Sequence, residues 1–312
     1  MTLRSQNRKR RKSKFLKRLL IGLAIVSVTA LVVAIGLYRM NPNEVEEEIA
    51  DTDEQEQDTD GEEEIDSESL EEEPNGENDE VDESTVDIRI SAVGDIMVHG
   101  DQIESAYDSE TDSYEFRSSF EEIEPYIQEA DLAIANLETT LRGPEEPYSG
   151  YPIFNAPDEI IDALDFAGFD TVITANNHSL DTGEAGLNRT LDVINEKGLT
   201  PVGTYQEEPS SRVVYKEVAG IQIALLAYTE MVNQVGDFQY TDQELYPMIN
   251  LIEEERMLSD IEEAQDNADI VLAYMHWGEE YQSEPNELQT SYANLLAENG
   301  VDLILGSHPH VI

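Results

Sequence analysis

The sequence predicts an α/β domain with a substantially parallel sheet over residues 86–312 of the 312-residue chain. Apolar runs of strand length alternate with amphipathic segments of helical period, which is the pattern of strand–helix–strand units. Several strand-like runs end in polar residues, as ligand-binding edges of such sheets do. The first run, VDIRISAVGD at 86–95, is predicted to be a buried strand that leads into a loop.

The remaining elements follow in regular order. RVVYKEVAGIQIALLAY predicts a hairpin that turns at Ala219–Gly220. APDEIIDALDFAGF predicts a helix with Asp158 as a candidate N-cap and an apolar i, i+3, i+4 face. The other predicted helices cover residues around 120–129, then 182–199, 251–268 and 286–300, and the other predicted strands cover 131–138, 170–178, 200–204, 269–278 and 301–310.

The chain before this domain has three predicted parts. Residues 1–18 form a basic tail, and the uncharged run at 19–38 is about long enough to span a bilayer as a helix. Basic residues before the run and acidic residues after it predict a single-pass anchor in the cell membrane, with the N-terminus cytoplasmic and the C-terminal domain extracellular. The alternative is a cleaved signal peptide with a small-residue site near Val32 and Ala34.

Residues 39–85 are predicted to be an acidic, disordered linker, because like charges dominate and too little apolar surface is present to offset ordering entropy. The formal net charge is −51, and ten of the 18 Lys and Arg residues lie in residues 1–39. Such a surface repels nucleic acid, which we therefore exclude as a partner. The chain has no cysteine, so a metal site would need His, Asp, Glu or Asn ligands.

Ligand-type residues concentrate at the ends of the predicted strands. The set consists of Asp95, Asn136, Glu138, Asn176, Asn177, His178, His276, His308 and His310. Each one alone has an ordinary explanation as a turn residue, a cap or a surface polar group. Together they offer carboxylate, amide and imidazole groups, which suit one or two divalent ions such as zinc, manganese or iron.

The motifs AVGDIM, ANLETTL, ITANNHSLD, YMHWGEEY and LILGSHPH resemble those of the CapA-type capsule or poly-γ-glutamate synthesis proteins. These belong to the calcineurin-like metallophosphoesterase superfamily, and the resemblance covers roughly residues 87–312. It implies a layered α-β-β-α sandwich of the metallo-dependent phosphatase type with a two-metal site. Because that family continues past the closing Gly-x-His-x-His motif, the resemblance also implies that the 86–312 domain is truncated at its C-terminus.

The resemblance also implies metal-ligand roles. Asp95 matches the first ligand, but Met97 stands where the superfamily has a histidine, and His99 lies two residues too late to replace it. Glu138 is the candidate ligand in the second motif, and Asn136 and Asn176 are expected to support ligands without touching the ion. The other implied ligands are Asn177, His276, His308 and His310.

Two further residues are implied to act on the substrate. His178 matches the proton donor or oxyanion stabiliser, and Asp181 is placed to orient its ring. The implied activity is that of a hydrolase or transferase acting on an envelope polymer such as poly-γ-glutamate. Two alternatives stay open: a non-catalytic, metal-stabilised subunit that holds a membrane synthase, and an extracellular phosphodiesterase or nucleotidase.

Overall fold

Two four-stranded sheets organise residues 85–233 and 239–311, the part of the chain that the computed structural model describes. The strands are β1 (Ile90–Ile96), β2 (Tyr107–Asp108), β3 (Ser113–Tyr114), β4 (Leu132–Leu137), β5 (Thr171–Ile173), β6 (Thr200–Val202), β7 (Val214–Val218), β8 (Ile221–Thr229), β9 (Ile270–His276) and β10 (Leu303–Ser307). The helices are α1 (Gly100–Ala106), α2 (Glu124–Ile127), α3 (Glu159–Ala167), α4 (Gly183–Glu196), α5 (Asp242–Leu245), α6 (Glu254–Asn267) and α7 (Glu287–Glu298).

Both sheets are mainly parallel, as the sequence predicts. The first has the order β1-β4-β5-β6 with every pair parallel. The second has the order β10-β9-β8-β7, in which only the β7–β8 pair is antiparallel. The carboxyl ends of neighbouring parallel strands therefore lie along one edge of each sheet.

Three apolar cores show how the layers stack. Alternate residues of β4 point to opposite faces, so that Leu132 and Ile134 join a core shared with β8 and β9 of the second sheet. Ala133 and Ala135 pack with α3 on the outer face of the first sheet. On the outer face of the second sheet, strands β8 and β9 pack against α6. The order of layers is therefore helix, sheet, sheet, helix.

The hairpin prediction is confirmed. Strands β7 and β8 pair antiparallel on either side of Ala219 and Gly220, whose φ angles are 50° and 86°. Positive φ at both central residues is what the type I′ turn of a two-residue hairpin requires. Asp158 is the N-cap residue of α3, as predicted, but its side chain makes no capping hydrogen bond. Its carboxylate instead binds the Arg189 guanidinium at 2.6 and 2.7 Å.

The element boundaries differ from the predictions in a consistent way. Most strands are shorter than predicted, because the polar residues that end the apolar runs lie in loops rather than in sheet pairing; β5, for example, stops at Ile173. Helices α1 and α5 and the small β2–β3 hairpin carry no strong apolar period and were not predicted. Their short length gives the sequence pattern too few residues to repeat.

The predicted basic tail, membrane anchor and acidic linker lie outside the described residues, apart from position 85. Within the described residues, no helix is both long and apolar enough to cross a membrane.

Candidate metal centre

The ends of β1, β4, β9 and β10 bring the predicted site residues together. In the first sheet Asp95 lies opposite Asn136, and in the second Ser307 lies opposite His276. Because paired residues are neighbours in a sheet, the ends of β1 and β4 bring their polar side chains together, and so do the ends of β9 and β10. The loop that follows β5 adds Asn177 and His178.

Asp95 links the two sheets. Its Oδ1 accepts a 2.7 Å hydrogen bond from the side-chain amide of Asn136. Its Oδ2 accepts a 3.0 Å bond from the backbone N–H of His308 and lies 3.0 Å from Nδ1 of His310. Burial by itself favours the neutral acid, but the neighbouring imidazole of His276 and these hydrogen bonds together hold the pKa of Asp95 below its ordinary value.

Glu138 is the most unusual side chain of the site. It is fully buried, and among the described residues neither carboxylate oxygen has a hydrogen-bond partner. Its Oε1 lies 3.9 Å from Nε2 of His178 and 3.9 Å from Nε2 of His276. Burial and the negative charge of Asp95 raise the pKa of Glu138 to about 10. A buried carboxyl group in this state lacks the compensating partner that such groups normally have.

Two of the histidines are in the neutral form that binds metal. Burial lowers the pKa of His276 to about 3, and burial also lowers the pKa of His308. His276 Nδ1 lies 2.9 Å from the Ser307 hydroxyl, and its Nε2 lies 3.0 Å from Oδ1 of Asn177. Nδ1 of His308 is buried and has no hydrogen-bond partner among the residues that the structure describes.

The closing histidines adopt strained backbone conformations. The φ angles of His308 and His310 are 97° and 53°, a region that residues with a side chain rarely occupy. Such strain costs on the order of 1–3 kcal/mol per residue and persists only where surrounding contacts impose it. Here the His308 N–H binds Asp95, and the carbonyl of Pro309 accepts a 2.7 Å bond from the N–H of Tyr281.

His178 and Asp181 form a buried pair beside these residues. His178 Nδ1 lies 2.7 Å from Oδ2 of Asp181, which also accepts a 2.8 Å bond from the N–H of Phe154. A carboxylate oxygen accepts, so the Nδ1 atom carries the proton and Nε2 faces Glu138. The Phe154 ring contacts the His178 ring edge-on, with centroids 4.7 Å apart.

Asn136 and Asn176 form the support behind these groups. The Asn176 amide donates to Oδ1 of Asn136 at 3.1 Å and to the carbonyl of Leu137 at 2.8 Å. Its Oδ1 accepts the N–H of His178 at 3.1 Å. Asn176 thus connects the loop after β5 to the end of β4. Asn136, which accepts from Asn176, in turn donates a hydrogen bond to Asp95.

Two sets of three side chains can each hold a metal ion. The first set is Asp95, Glu138 and His276, and the second is Glu138, His308 and His310; within each set the ligand atoms lie within 4.8 Å of one another. Glu138 belongs to both sets. The unpaired oxygens of Glu138, the unpaired Nδ1 of His308 and the neutral imidazoles fit a divalent cation, so the residues present are compatible with a metal site.

Some residues near the site were not singled out from the sequence for a role there. The Asn233 amide nitrogen lies 3.4 Å from Nε2 of His178, and Ser307 faces His276. Ser307 ends β10 and could have been found by the strand-end rule, whereas Asn233 lies four residues beyond β8 and carries no such signal. His99 is exposed and contacts Phe154 edge-on at 5.1 Å, which agrees with leaving it out of the ligand set.

Comparisons with known proteins identify relatives of the whole described domain. The chain is 30% identical over 236 residues to "Capsule biosynthesis protein CapA" of Bacillus anthracis, which covers 72% of this chain and 55% of that protein. It is 29% identical over 226 residues to "PGA biosynthesis protein CapA" of Bacillus subtilis (strain 168), covering 71% and 57%. The chain thus spans a little over half the length of the curated relatives it matches.

A solved structure also matches. It is a putative 5'-nucleotidase from Staphylococcus aureus in complex with alpha-ketoglutarate, with a TM-score of 0.47 and 19% identity, over 72% of this chain and 45% of that one. The family model of the bacterial capsule synthesis protein PGA_cap matches residues 89–312, which includes every residue of the two ligand sets. The chain therefore belongs to the bacterial capsule synthesis protein family.

Proposed function

We propose that this protein is a metal-dependent hydrolase or transferase that acts on an envelope polymer during capsule or poly-γ-glutamate synthesis, export or anchoring. The fold is then a sandwich of the metallo-dependent phosphatase type, with one or two zinc, manganese or iron ions at the strand ends. The names of the relatives support an envelope polymer as the substrate, since one relative is called a capsule biosynthesis protein and the other a PGA biosynthesis protein.

One observation carries the metal part of the proposal: Glu138 is fully buried, and both of its carboxylate oxygens lack a hydrogen-bond partner in the part of the chain that the structure describes. Within the described residues it is shared by both ligand sets, whose other members are Asp95 and histidines. A divalent cation would supply the missing partner and would favour the carboxylate over the neutral acid. Asp95, Glu138, Asn177, His276, His308 and His310 would hold it.

When bound, such ions polarise the substrate and lower the pKa of bound water. The chain's own residues then have separate tasks. The Asp181 carboxylate fixes the His178 ring with its proton on Nδ1, so that Nε2 faces the ligand groups and can give or take a proton there. Asn136 and Asn176 keep Asp95 and the His178 loop in place.

The test is metal analysis of the complete protein, followed by turnover assays on phosphoesters and on γ-glutamyl polymers. We expect bound transition metal, a lower melting temperature after chelation, and turnover that chelation abolishes. A complete protein that purifies without metal and does not respond to added zinc or manganese would contradict the proposal.

Two histidine variants separate catalysis from metal binding. His178→Ala removes no proposed ligand, so metal content should stay near wild type while turnover falls about 10²–10⁴-fold. His276→Ala removes a ligand and should lower metal occupancy. A metal-free His178→Ala protein would show that the two roles are assigned wrongly.

A non-catalytic role as a metal-stabilised subunit of a membrane synthase is the second candidate. Met97 favours it, because a histidine is missing from the position where the resemblance implies a ligand. In that case His178→Ala would leave polymer yield unchanged, whereas His276→Ala would lower it through loss of folded protein.

We further propose that residues 19–38 anchor the protein in the cell membrane and that residues 40–312 lie outside the cell. The uncharged run and the ten Lys and Arg residues in 1–39 support this topology. Protease added to intact cells should then shorten the protein to its N-terminal part. Full protection of residues 86–312 in intact cells, with cleavage after lysis, would overturn the topology.

A further inference from the structure

The proposed ligands come from both sheets, so their relative position depends on contacts between the two sheets. Several of these contacts use the ligand atoms themselves, such as the 3.0 Å contact of Asn177 Oδ1 with His276 Nε2. An ion held by these atoms would replace that hydrogen bond. Contacts that leave the ligand atoms free are therefore needed to keep the two halves in register.

The segment that follows β8 supplies such contacts. The backbone N–H of Glu230 donates to the carbonyl of His276 at 2.9 Å, and the backbone N–H of Asn233 donates to the carbonyl of Asn177 at 2.8 Å. The Glu230 carboxylate also accepts the N–H of Gly278 at 2.9 Å. Glu230 and Asn233 thus hold a ligand loop of each sheet through atoms that no ion needs.

The Asn233 side chain makes a different contact, with His178. Its amide nitrogen lies 3.4 Å from Nε2 and 3.5 Å from Nδ1 of the imidazole. The amide nitrogen is thus about equally far from both ring nitrogens. Asp181 binds the ring at Nδ1 and Phe154 contacts it edge-on, so three residues contact the ring.

We propose that Asn233 is a positioning residue that fixes the His178 ring relative to the histidines of the second sheet. Of the three residues that hold the ring, Asn233 alone follows a strand of that sheet, whereas Phe154 and Asp181 belong to the chain around the first sheet. This inference rests on the proposed function for its effect on turnover. Its structural part, the restraint of the His178 ring, can be measured without any turnover.

The experiment compares Asn233→Ala with Asn233→Leu in the complete protein. Alanine removes the side chain that contacts the His178 ring but keeps the backbone hydrogen bond to Asn177, while leucine restores a side chain of similar size. Met231→Ala is the matched control, because Met231 lies on the same segment and is 40% exposed. The measurements are metal content, kcat, KM and the rate of His178 carbethoxylation, followed by peptide mass spectrometry.

We expect Asn233→Ala to react several-fold faster at His178, to keep its metal, and to lose roughly 10- to 100-fold in kcat with little change in KM, the scale for a displaced catalytic group. Asn233→Leu should recover the slow carbethoxylation and part of the kcat, and Met231→Ala should match wild type. Wild-type carbethoxylation in Asn233→Ala, or loss of its metal, would overturn the inference. A wild-type protein without turnover would instead refute the proposed function, and carbethoxylation would still decide the role of Asn233.

Discussion

Two buried carboxyl groups in this domain have opposite surroundings. Glu138 is fully buried at the end of β4, and Asp260 is 7% exposed on the inner face of α6. Asp260 accepts a 2.8 Å hydrogen bond from the Tyr228 hydroxyl, whereas neither oxygen of Glu138 has a hydrogen-bond partner within residues 85–233 and 239–311. Burial therefore does not by itself mark a functional acid; an acid buried without a partner among site histidines does.

The pKa values of both acids are raised, for partly different reasons. Burial and the negative charge of Asp95 raise the pKa of Glu138 to about 10. Burial raises the pKa of Asp260, while the Tyr228 hydrogen bond and the Arg212 charge act in the opposite direction. A hydrogen bond and a nearby positive charge from the protein thus offset the burial of Asp260. We propose that a bound cation offsets the burial of Glu138.

The largest expected effect is loss of metal in Glu138→Gln. This change removes the carboxylate shared by both ligand sets, so metal affinity should fall by more than about a hundredfold, the upper range for losing a residue that only supports a ligand. The metal-free variant should unfold at the same temperature as metal-free wild type or higher, because an unpaired buried acid is gone. Competition with a chelator and thermal melts measure both effects.

If Glu138→Gln keeps wild-type metal affinity, Glu138 is not a ligand and the contrast with Asp260 loses its meaning. Asp260→Asn is the matched control for a buried acid outside the site, and we expect it to bind metal as wild type does.

Asp260→Ala should have an intermediate effect, on stability alone. It leaves the buried Tyr228 hydroxyl without an acceptor, which costs about 1–3 kcal/mol in the free energy of unfolding. Denaturant titration of the metal-loaded protein measures this cost, and metal content should not change. A loss of metal in Asp260→Ala would mean that Asp260 also affects metal binding, which would contradict its assignment as a purely structural acid.

A further expected effect is a dependence of stability on pH in the metal-free protein. An acid whose pKa is raised by folding contributes stability that is fully present below its unfolded-state pKa and is lost as pH rises toward the folded-state pKa. For Glu138 this window runs from the ordinary value of 4.5 to about 10. The melting temperature of the metal-free protein should therefore fall from about pH 5 to about pH 9.

Glu138→Gln should flatten this pH profile markedly, and Asp260→Asn should flatten it less, since hydrogen bonding and Arg212 oppose the shift there. Equal slopes in wild type and Glu138→Gln would show that Glu138 is not held as a neutral acid in the folded protein.

The local sequence pattern predicted most of the helices and strands because it reflects the preference of each segment for helix, strand or turn. The hairpin turn at Ala219–Gly220 was recognisable because Gly220 readily adopts positive φ, whereas Ala219, with a φ angle of 50°, gives no such signal. The pattern placed the N-cap of α3 at Asp158 correctly, but it did not show that the Asp158 carboxylate binds Arg189, 31 residues away. It also gave no reason to separate Asp260 from the exposed acids of α6, although Asp260 lies between Met257 and Ile261 on the buried face.

The sequence by itself determined the strand-end residues that gather at one place, since parallel strands bring their carboxyl ends together whatever their order. Only the tertiary structure decided which of these groups find partners. The contact of Asp95 with the His308 backbone spans 213 residues, and that of Asn233 with His178 spans 55. Strand order, sheet stacking and burial set these distances, and all three arise from packing between distant segments, which no local spacing encodes.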